Sequence, residues 1–296
     1  MLEGAKADRG VALMGVCNVT PDSFSDGGLH FAPEAARARV DELLAEGADI
    51  IDIGGESTRP GAAPVPADVQ LERVIDAVRY AASRGACVSI DTADAKVAAV
   101  ALEAGACAVN DVSCLRDDAL AQAVGAARAA YVLTHARGMQ KDMPGFSRHP
   151  DDAYGDVVCD VMTEWEGAAV RACSLGVVRE ALVMDPGLGF AKNARHSAEL
   201  LGRIGEIVRA VGVPVAVGAS RKSFLTIVER GALPGDRIGA SLAAALHAAR
   251  SGAVVLRVHD VRSTLQAVDL DRALTDAARR ERGCTTSPVA RLGVAS

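Results

Sequence analysis

The chain has 296 residues and a formal net charge of -6, with 38 acidic against 32 basic side chains. That balance argues against a nucleic acid or an anionic membrane surface as the main partner, and leaves open a small anionic substrate met by a local arginine cluster. One Trp, three Tyr and five Phe are too few for an aromatic core, so Ala, Val, Leu and Ile must build it.

Short apolar runs of strand character are expected at residues 11–19, 49–54, 87–91, 108–110, 130–134, 181–184, 213–217 and 253–258. Helical patterns separate them. Ala36, Val40, Leu43 and Leu44 recur at i, i+4, i+7 and i+8, and Leu71, Val74, Ile75 and Val78 at i, i+3, i+4 and i+7, so each set makes one apolar face. Gly47, Gly85, Gly105, Gly176, Gly212 and Gly252 stand where helices should stop before the next strand. Eight βα units without a linker predict a single (β/α)8 TIM barrel with eight parallel strands over residues 1–283. Residues 284–296 read as a tail. A doubly wound open sheet is the alternative, since periodicity does not reveal closure.

The seven cysteines include no C-x-x-C pair, which predicts reduced thiols in a cytoplasmic protein. The first residues carry neither a basic start nor a long apolar stretch, and no segment has the unbroken apolar length of a membrane span.

In a barrel the C-terminal strand ends share one mouth. The residues expected there are Asn18; Glu56, Ser57, Thr58 and Arg59; Asp91; Asn110 and Asp111; His135; Asp185; Ser220, Arg221 and Lys222; and Arg257 with His259. Each has a bland reading: Asp91 could cap a helix, Asn110 and Asp111 could hold a turn, and Asp185 before Pro186 and Gly187 is ordinary turn chemistry. A polar residue at every strand end is harder to explain that way. Two carboxylates (Asp91, Asp185) and a carboxamide (Asn110) suit the N–H edge of a guanidine-like heterocycle, with Lys222 for a carbonyl oxygen beside it. Arg59, Arg257, His259 and Asn18 suit a phosphate or diphosphate, with or without a metal ion. No zinc-type histidine spacing, nucleophile elbow, phosphate loop or Rossmann fingerprint occurs.

The segments "MGVCNVTPDSFSDGG" (14–28), "DIIDIGGESTRPGA" (49–62), "SIDT" (89–92), "VNDVS" (109–113), "DPGLGFAK" (185–192), "GASRKSFL" (218–225) and "LRVHDV" (256–261) follow in that order. Together they closely resemble the dihydropteroate synthase family, enzymes that join a pterin diphosphate to p-aminobenzoate. The resemblance runs over about residues 11–275. It implies a barrel, usually a homodimer, that uses Mg2+. Asp91, Asn110, Asp185, Phe190 and Lys222 match the family's pterin contacts. Asn18, Arg59, Arg257 and His259 match its diphosphate anchors, with Asn18 also toward Mg2+, and Thr58, Pro60 and Ser220 its p-aminobenzoate pocket, where sulfonamide inhibitors compete. Asp91, Lys222, Arg257 and His259 would carry the chemistry. The segments 20–28 and 54–62 match the family's closing loops. One departure stands out: Thr134 occupies a position where family members place a methionine near the pterin.

The resemblance implies a dissociative substitution in which diphosphate leaves the pterin methylene before the amine adds. Two alternatives share the deep Asp and Asn contacts, a pterin-dependent methyltransferase and a non-catalytic pterin-binding paralogue. The first needs no diphosphate anchor, so Arg59, Arg257 and His259 speak against it.

Overall fold

The computed structural model describes residues 9–20, 33–57, 64–138 and 149–283. Thr58, Arg59, Pro60, most of both expected closing loops, and the tail 284–296 lie outside them.

Eight parallel strands, β1 (Ala12–Asn18), β2 (Ile50–Gly54), β3 (Cys87–Asp91), β4 (Ala108–Asp111), β5 (Ala130–Thr134), β6 (Leu182–Asp185), β7 (Ala216–Val217) and β8 (Val255–Val258), pair in the order β6-β5-β4-β3-β2-β1-β8-β7. The Met184–Val215 bridge joins the two ends, with Met184 N donating to Pro214 O at 2.8 Å. The ring therefore closes, and the open-sheet alternative is excluded. Strand β7 keeps only two residues of the run expected at 213–217, because Pro214 has no N–H for a ladder.

Helices α1 (Pro33–Ala45), α2 (Ala67–Ser83), α3 (Ala95–Glu103), α4 (Asp118–Ala127), α5 (Val157–Ser174), α6 (Ala194–Gly202), α7 (Ile204–Ala210), α8 (Ile238–Arg250) and α9 (Val261–Gly283) surround the described strands. The buried face of α1 is Ala36, Val40 and Leu43, as its spacing predicts. That of α2 is rotated slightly: Val74, Ala77, Val78 and Ala81 are buried, whereas Leu71 and Ile75 sit at its margin. Asp94, Asp117, Asp156 and Asn193 cap α3, α4, α5 and α6 by accepting backbone N–H groups. All six glycines expected as stops adopt positive φ, the conformation that costs an L side chain most.

Successive strand residues point alternately outward and inward. The outward set packs against the helices in the main core. The inward set at the floor is apolar: Ala12, Met14, Ile50, Val132, Val183, Ala216 and Val255 form their own cluster. One step further up, the same inward alternation reaches Asp52, Ser89, Asn110, Asp185 and Arg257. The barrel thus has an apolar floor and a charged upper interior.

Candidate active site

The deep end of the site is built by β2, β3, β4, β6 and β8. Arg257 spans two carboxylates, donating from Nε to Asp52 Oδ2 and from a terminal nitrogen to Asp91 Oδ2, both at 2.6 Å. Asn110 Nδ2 donates to the same Asp52 oxygen at 3.1 Å. Asp52, Asp91, Asn110 and Asp185 are all buried. Burial pushes the Asp91 carboxyl up from its ordinary value, against the opposing pull of Arg257, and it pushes Asp185 up as well, against Lys222. Burial by itself would lower the Arg257 guanidinium, but Asp52 and Asp91 outweigh it and hold the group above its usual value.

Several buried polar atoms in this interior have no hydrogen-bond partner, among them Asp52 Oδ1, Ser89 Oγ and Asp91 Oδ1. They belong to neighbouring inward positions, since Asp52 pairs in register with Ser89. Buried polar groups are ordinarily satisfied. A cluster left unsatisfied is suited to a ligand that brings its own donors.

Asp185 closes the opposite wall. Its Oδ1 accepts from Gly187 N at 2.7 Å, so half of the side chain does hold the turn. The other oxygen faces the interior. A Cβ on Gly218 would lie 3.7 Å from Asp185 Oδ2 and 3.6 Å from Arg257 Cβ, so the missing side chain leaves the space between them open. Lys222 Nζ donates to Leu188 O at 2.5 Å and lies 4.7 Å from the centre of the Phe190 ring. Burial lowers its ammonium to about 8, with Asp185 opposing. Thr134, fully buried beside Asp185 in the register, completes this wall.

Nearer solvent lies a cavity of about 450 Å3 lined by Asn18, His259, Arg262 and Ser263, by Arg39 and Arg221, which are paired with Glu42 and Asp260 in the same lining, and by Glu46. Burial and the nearby Arg257 and Arg221 push the His259 imidazole down to about 3, so it is neutral at physiological pH. Ser220 Oγ accepts from the His259 backbone N–H at 3.2 Å and lies 3.1 Å from His259 Nδ1. In the tautomer that carries the ring proton on Nε2, the hydroxyl donates to Nδ1 and Nε2–H is a donor for an oxyanion. Arg221 is bound by Asp260, with Nε donating at 2.9 Å, just as Arg257 is bound by Asp52 and Asp91, so neither guanidinium is free of a carboxylate in this state.

The structure brings together Asn18, Asp91, Asn110, Asp185, Phe190, Ser220, Lys222, Arg257 and His259 at the expected end of the barrel. Other expectations resolve into packing. Asp111 accepts from Ser113 N, Leu115 N and Tyr131 Oη, which makes it a turn anchor. Glu56 accepts from Val65 N and only positions the turn. The helix cap imagined for Asp91 belongs to Asp94 instead.

His135 is fully buried and turned away from the mouth. Its Nε2 meets Glu164 at 3.0 Å and its Nδ1 meets Lys192 Nζ at 2.8 Å. Lys192 is itself fully buried, donating to Gly187 O and Phe190 O at 3.1 Å each. It thereby pins the turn that carries both Phe190 and the Leu188 carbonyl on which Lys222 rests. Lys192→Met should leave these acceptors without a donor and destabilise the fold by about 2–4 kcal/mol. It should also raise KM for any ligand lying against Phe190. Urea denaturation beside steady-state kinetics would check both, and unchanged stability would contradict the assignment.

Two contributors went unread in the sequence, Asp52 and Lys192. Asp52 had a signal: a lone carboxylate at the centre of the apolar run "IIDIG", where burying a charge demands a partner. Lys192 had none, because a lysine at the end of a loop motif reads as solvated.

A family model described as "Pterin binding enzyme" matches residues 14–259. The dihydropteroate synthase of Mycobacterium leprae is 44% identical over 264 residues, covering 87% of this chain and 91% of that one. A probable bifunctional folylpolyglutamate synthase/dihydropteroate synthase of Haloferax volcanii is 42% identical over 276 residues. The match covers 92% of this chain but only 32% of that longer protein. Among solved structures, Xanthomonas albilineans dihydropteroate synthase in complex with 7,8-dihydropteroate superposes with a TM-score of 0.79 at 36% identity, covering 90% of this chain and 94% of that one. With the match spanning the barrel from β1 to the residue after β8, and the Mycobacterium leprae and Xanthomonas albilineans proteins above 30% identity and aligned over more than nine-tenths of their length, the chain belongs to the dihydropteroate synthase family of pterin-binding enzymes.

Proposed function

We propose that the chain condenses 6-hydroxymethyl-7,8-dihydropterin diphosphate with p-aminobenzoate to give 7,8-dihydropteroate and diphosphate. One observation carries the reading in this chain. Three buried carboxyl groups, Asp52, Asp91 and Asp185, face two cations, Arg257 and Lys222, at the barrel end where Asn18 and His259 also line a cavity of mixed charge. The lower part is short of donors and of positive charge, as a site for an N–H-rich, electron-poor heterocycle should be. The upper part offers what a diphosphate requires.

In this reading the pterin edge donates to Asp185 and Asn110, Lys222 donates to its carbonyl oxygen, and Phe190 covers its face. Arg257 already lies across Asp52 and Asp91, so an entering pterin must share those carboxylates with it. When diphosphate leaves, Arg257, giving up part of its hold on Asp52 and Asp91, and a His259 Nε2–H stabilise the charge that develops on it, and Asp91 faces the electron-deficient methylene left behind. No protein nucleophile is needed. Thr58, Arg59 and Pro60 would complete the amine and diphosphate pockets, and Ser220 contributes through its contact with His259 Nδ1.

Among the described residues no three His, Cys, Asp or Glu side chains converge as a metal site, whereas Asn18 brings an amide beside the cavity. That donor set fits Mg2+ held mainly by diphosphate oxygens and by the protein through Asn18. There it would offset negative charge on the leaving group. A homodimer is part of the same proposal, supported by the exposed apolar side chains of Ile227, Val228, Leu233 and Ile238. No helix of the described residues is long and apolar enough to cross a membrane.

An assay of diphosphate release with both substrates tests the reaction; pterin binding without release above background would overturn it. The Lys222 value also sets a pH dependence. Its ammonium is present below about 8 and is lost above it. KM for the pterin diphosphate should therefore climb as pH rises beyond 8, by up to about tenfold per pH unit, while Lys222→Arg should remove that limb. A KM independent of pH across that range in the wild type would contradict the role.

A further inference from the structure

The opposite end of the barrel holds a second reactive arrangement. Cys87, the first residue of β3, packs against the apolar floor, and Cys107, immediately before β4, is exposed. Their sulfurs lie 2.8 Å apart. We propose that Cys87 and Cys107 form a dithiol site at the base of the barrel, which reacts with small-molecule disulfides and closes to an intrachain disulfide.

The backbone on both sides is already fixed. Cys107 N donates to Val88 O at 2.9 Å, and Ala130 N donates to Cys107 O at 3.0 Å, so the sheet holds the two residues in place. A disulfide brings its sulfurs to about 2.0 Å, so the bond needs less than about 1 Å of further approach by the sulfurs. The two thiols also differ in character. The hydrogen bond between them holds the Cys107 thiol down to about 6, against burial, while the same bond and burial hold Cys87 well above its ordinary value. Cys107 is thus the exposed and more readily ionised thiol of the pair. Cys17, by comparison, is buried and raised to about 12, and makes no such pair.

The chemistry balances with the disulfide as oxidant. The Cys107 thiolate attacks one sulfur of the small molecule, breaking its S–S bond, forming a mixed disulfide and expelling the first thiolate. Cys87 then gives up its proton, attacks Cys107 Sγ and expels the second thiolate. The two cysteines are oxidised and the reagent is reduced to two thiols, which take up the proton released by Cys87 and one from solvent. The site lies at the far ends of the strands carrying Asp91 and Asn110, so closing it should leave the mouth untouched and retain activity.

The reduced full chain would be treated with oxidised glutathione, alkylated and digested with trypsin. Cleavage after Arg84, Lys96 and Arg116 places Cys87 in the peptide 85–96, and Cys107 with Cys114 in 97–116. The expected product is these two peptides joined through Cys107, lighter by two hydrogens than their sum, with Cys114 alkylated and the link reversed by a reducing dithiol. Full alkylation of Cys87 after oxidation, or a stable glutathione adduct on Cys107 alone, would overturn the proposal. Phenylarsine oxide, which bridges two adjacent thiols without an oxidant, gives an independent reading. It should protect both residues in the wild type and leave Cys107 open to alkylation in Cys87→Ser; labelling of both in the treated wild type would equally reject the site.

Discussion

Replacing Arg257 by glutamine should abolish most turnover and weaken the fold together. The guanidinium is the shared partner of two buried carboxylates, at 2.6 Å from each, and they sit on different strands. Without it Asp52 and Asp91, near neighbours on the adjacent strands β2 and β3, lose the cation that pairs them both, and removing one partner of a buried pair costs about 3–5 kcal/mol. The same change removes charge that the leaving diphosphate requires, a loss on the order of 10² to 10³ in kcat. Chemical denaturation and diphosphate release would read the two effects separately. Arg257→Lys should recover much of the stability and little of the rate, because an ammonium cannot span both carboxylates as the fork does. A stable, active Arg257→Gln protein would refute the placement of this residue.

Asp185→Asn is expected to separate function from stability. The amide oxygen can still accept from Gly187 N, so the turn survives, but the negative charge opposite the pterin N–H edge is lost. We expect kcat/KM to fall on the order of 10² to 10³ while the unfolding midpoint holds or rises. The sign follows from linkage. Burial raises the folded Asp185 carboxyl above the 3.8 of an ordinary solvated aspartate. Its contribution to stability is therefore fully present below about 3.8 and is lost as pH rises through the folded value, since the folded state then binds the extra proton. The variant should lack that contribution to the acid-side pH dependence. Full activity in Asp185→Asn would sink the assignment of the pterin edge.

The βα alternation, the glycine stops and the apolar periodicity were legible because each rests on neighbours within a few residues. The strands at 87–91 and 130–134 fall where their patterns place them, and the face of α2 differs only by a small rotation. Most of the site was legible too, because strand ends in a barrel converge by construction. What the chain alone could not sort was which polar residue at a strand end works on a ligand and which holds the protein. Asp111 and His135 looked the same as Asn110 and Asp185 in sequence. Their roles depend on Tyr131 and Glu164, partners 20 and 29 residues away in the chain.

The sequence by itself therefore determined a series of eight βα units, the end at which their polar strand-end residues gather, and the kinds of groups found there. Tertiary structure alone decided the pairings: Arg257 with Asp52 across 205 residues, Lys192 with His135 across 57, and Cys87 with Cys107 on adjacent strands. The reason is physical. Periodicity is a property of the local backbone and survives in one dimension. The energy of a buried charge or thiol is set by whatever the fold places within a few ångströms of it, which local sequence does not encode.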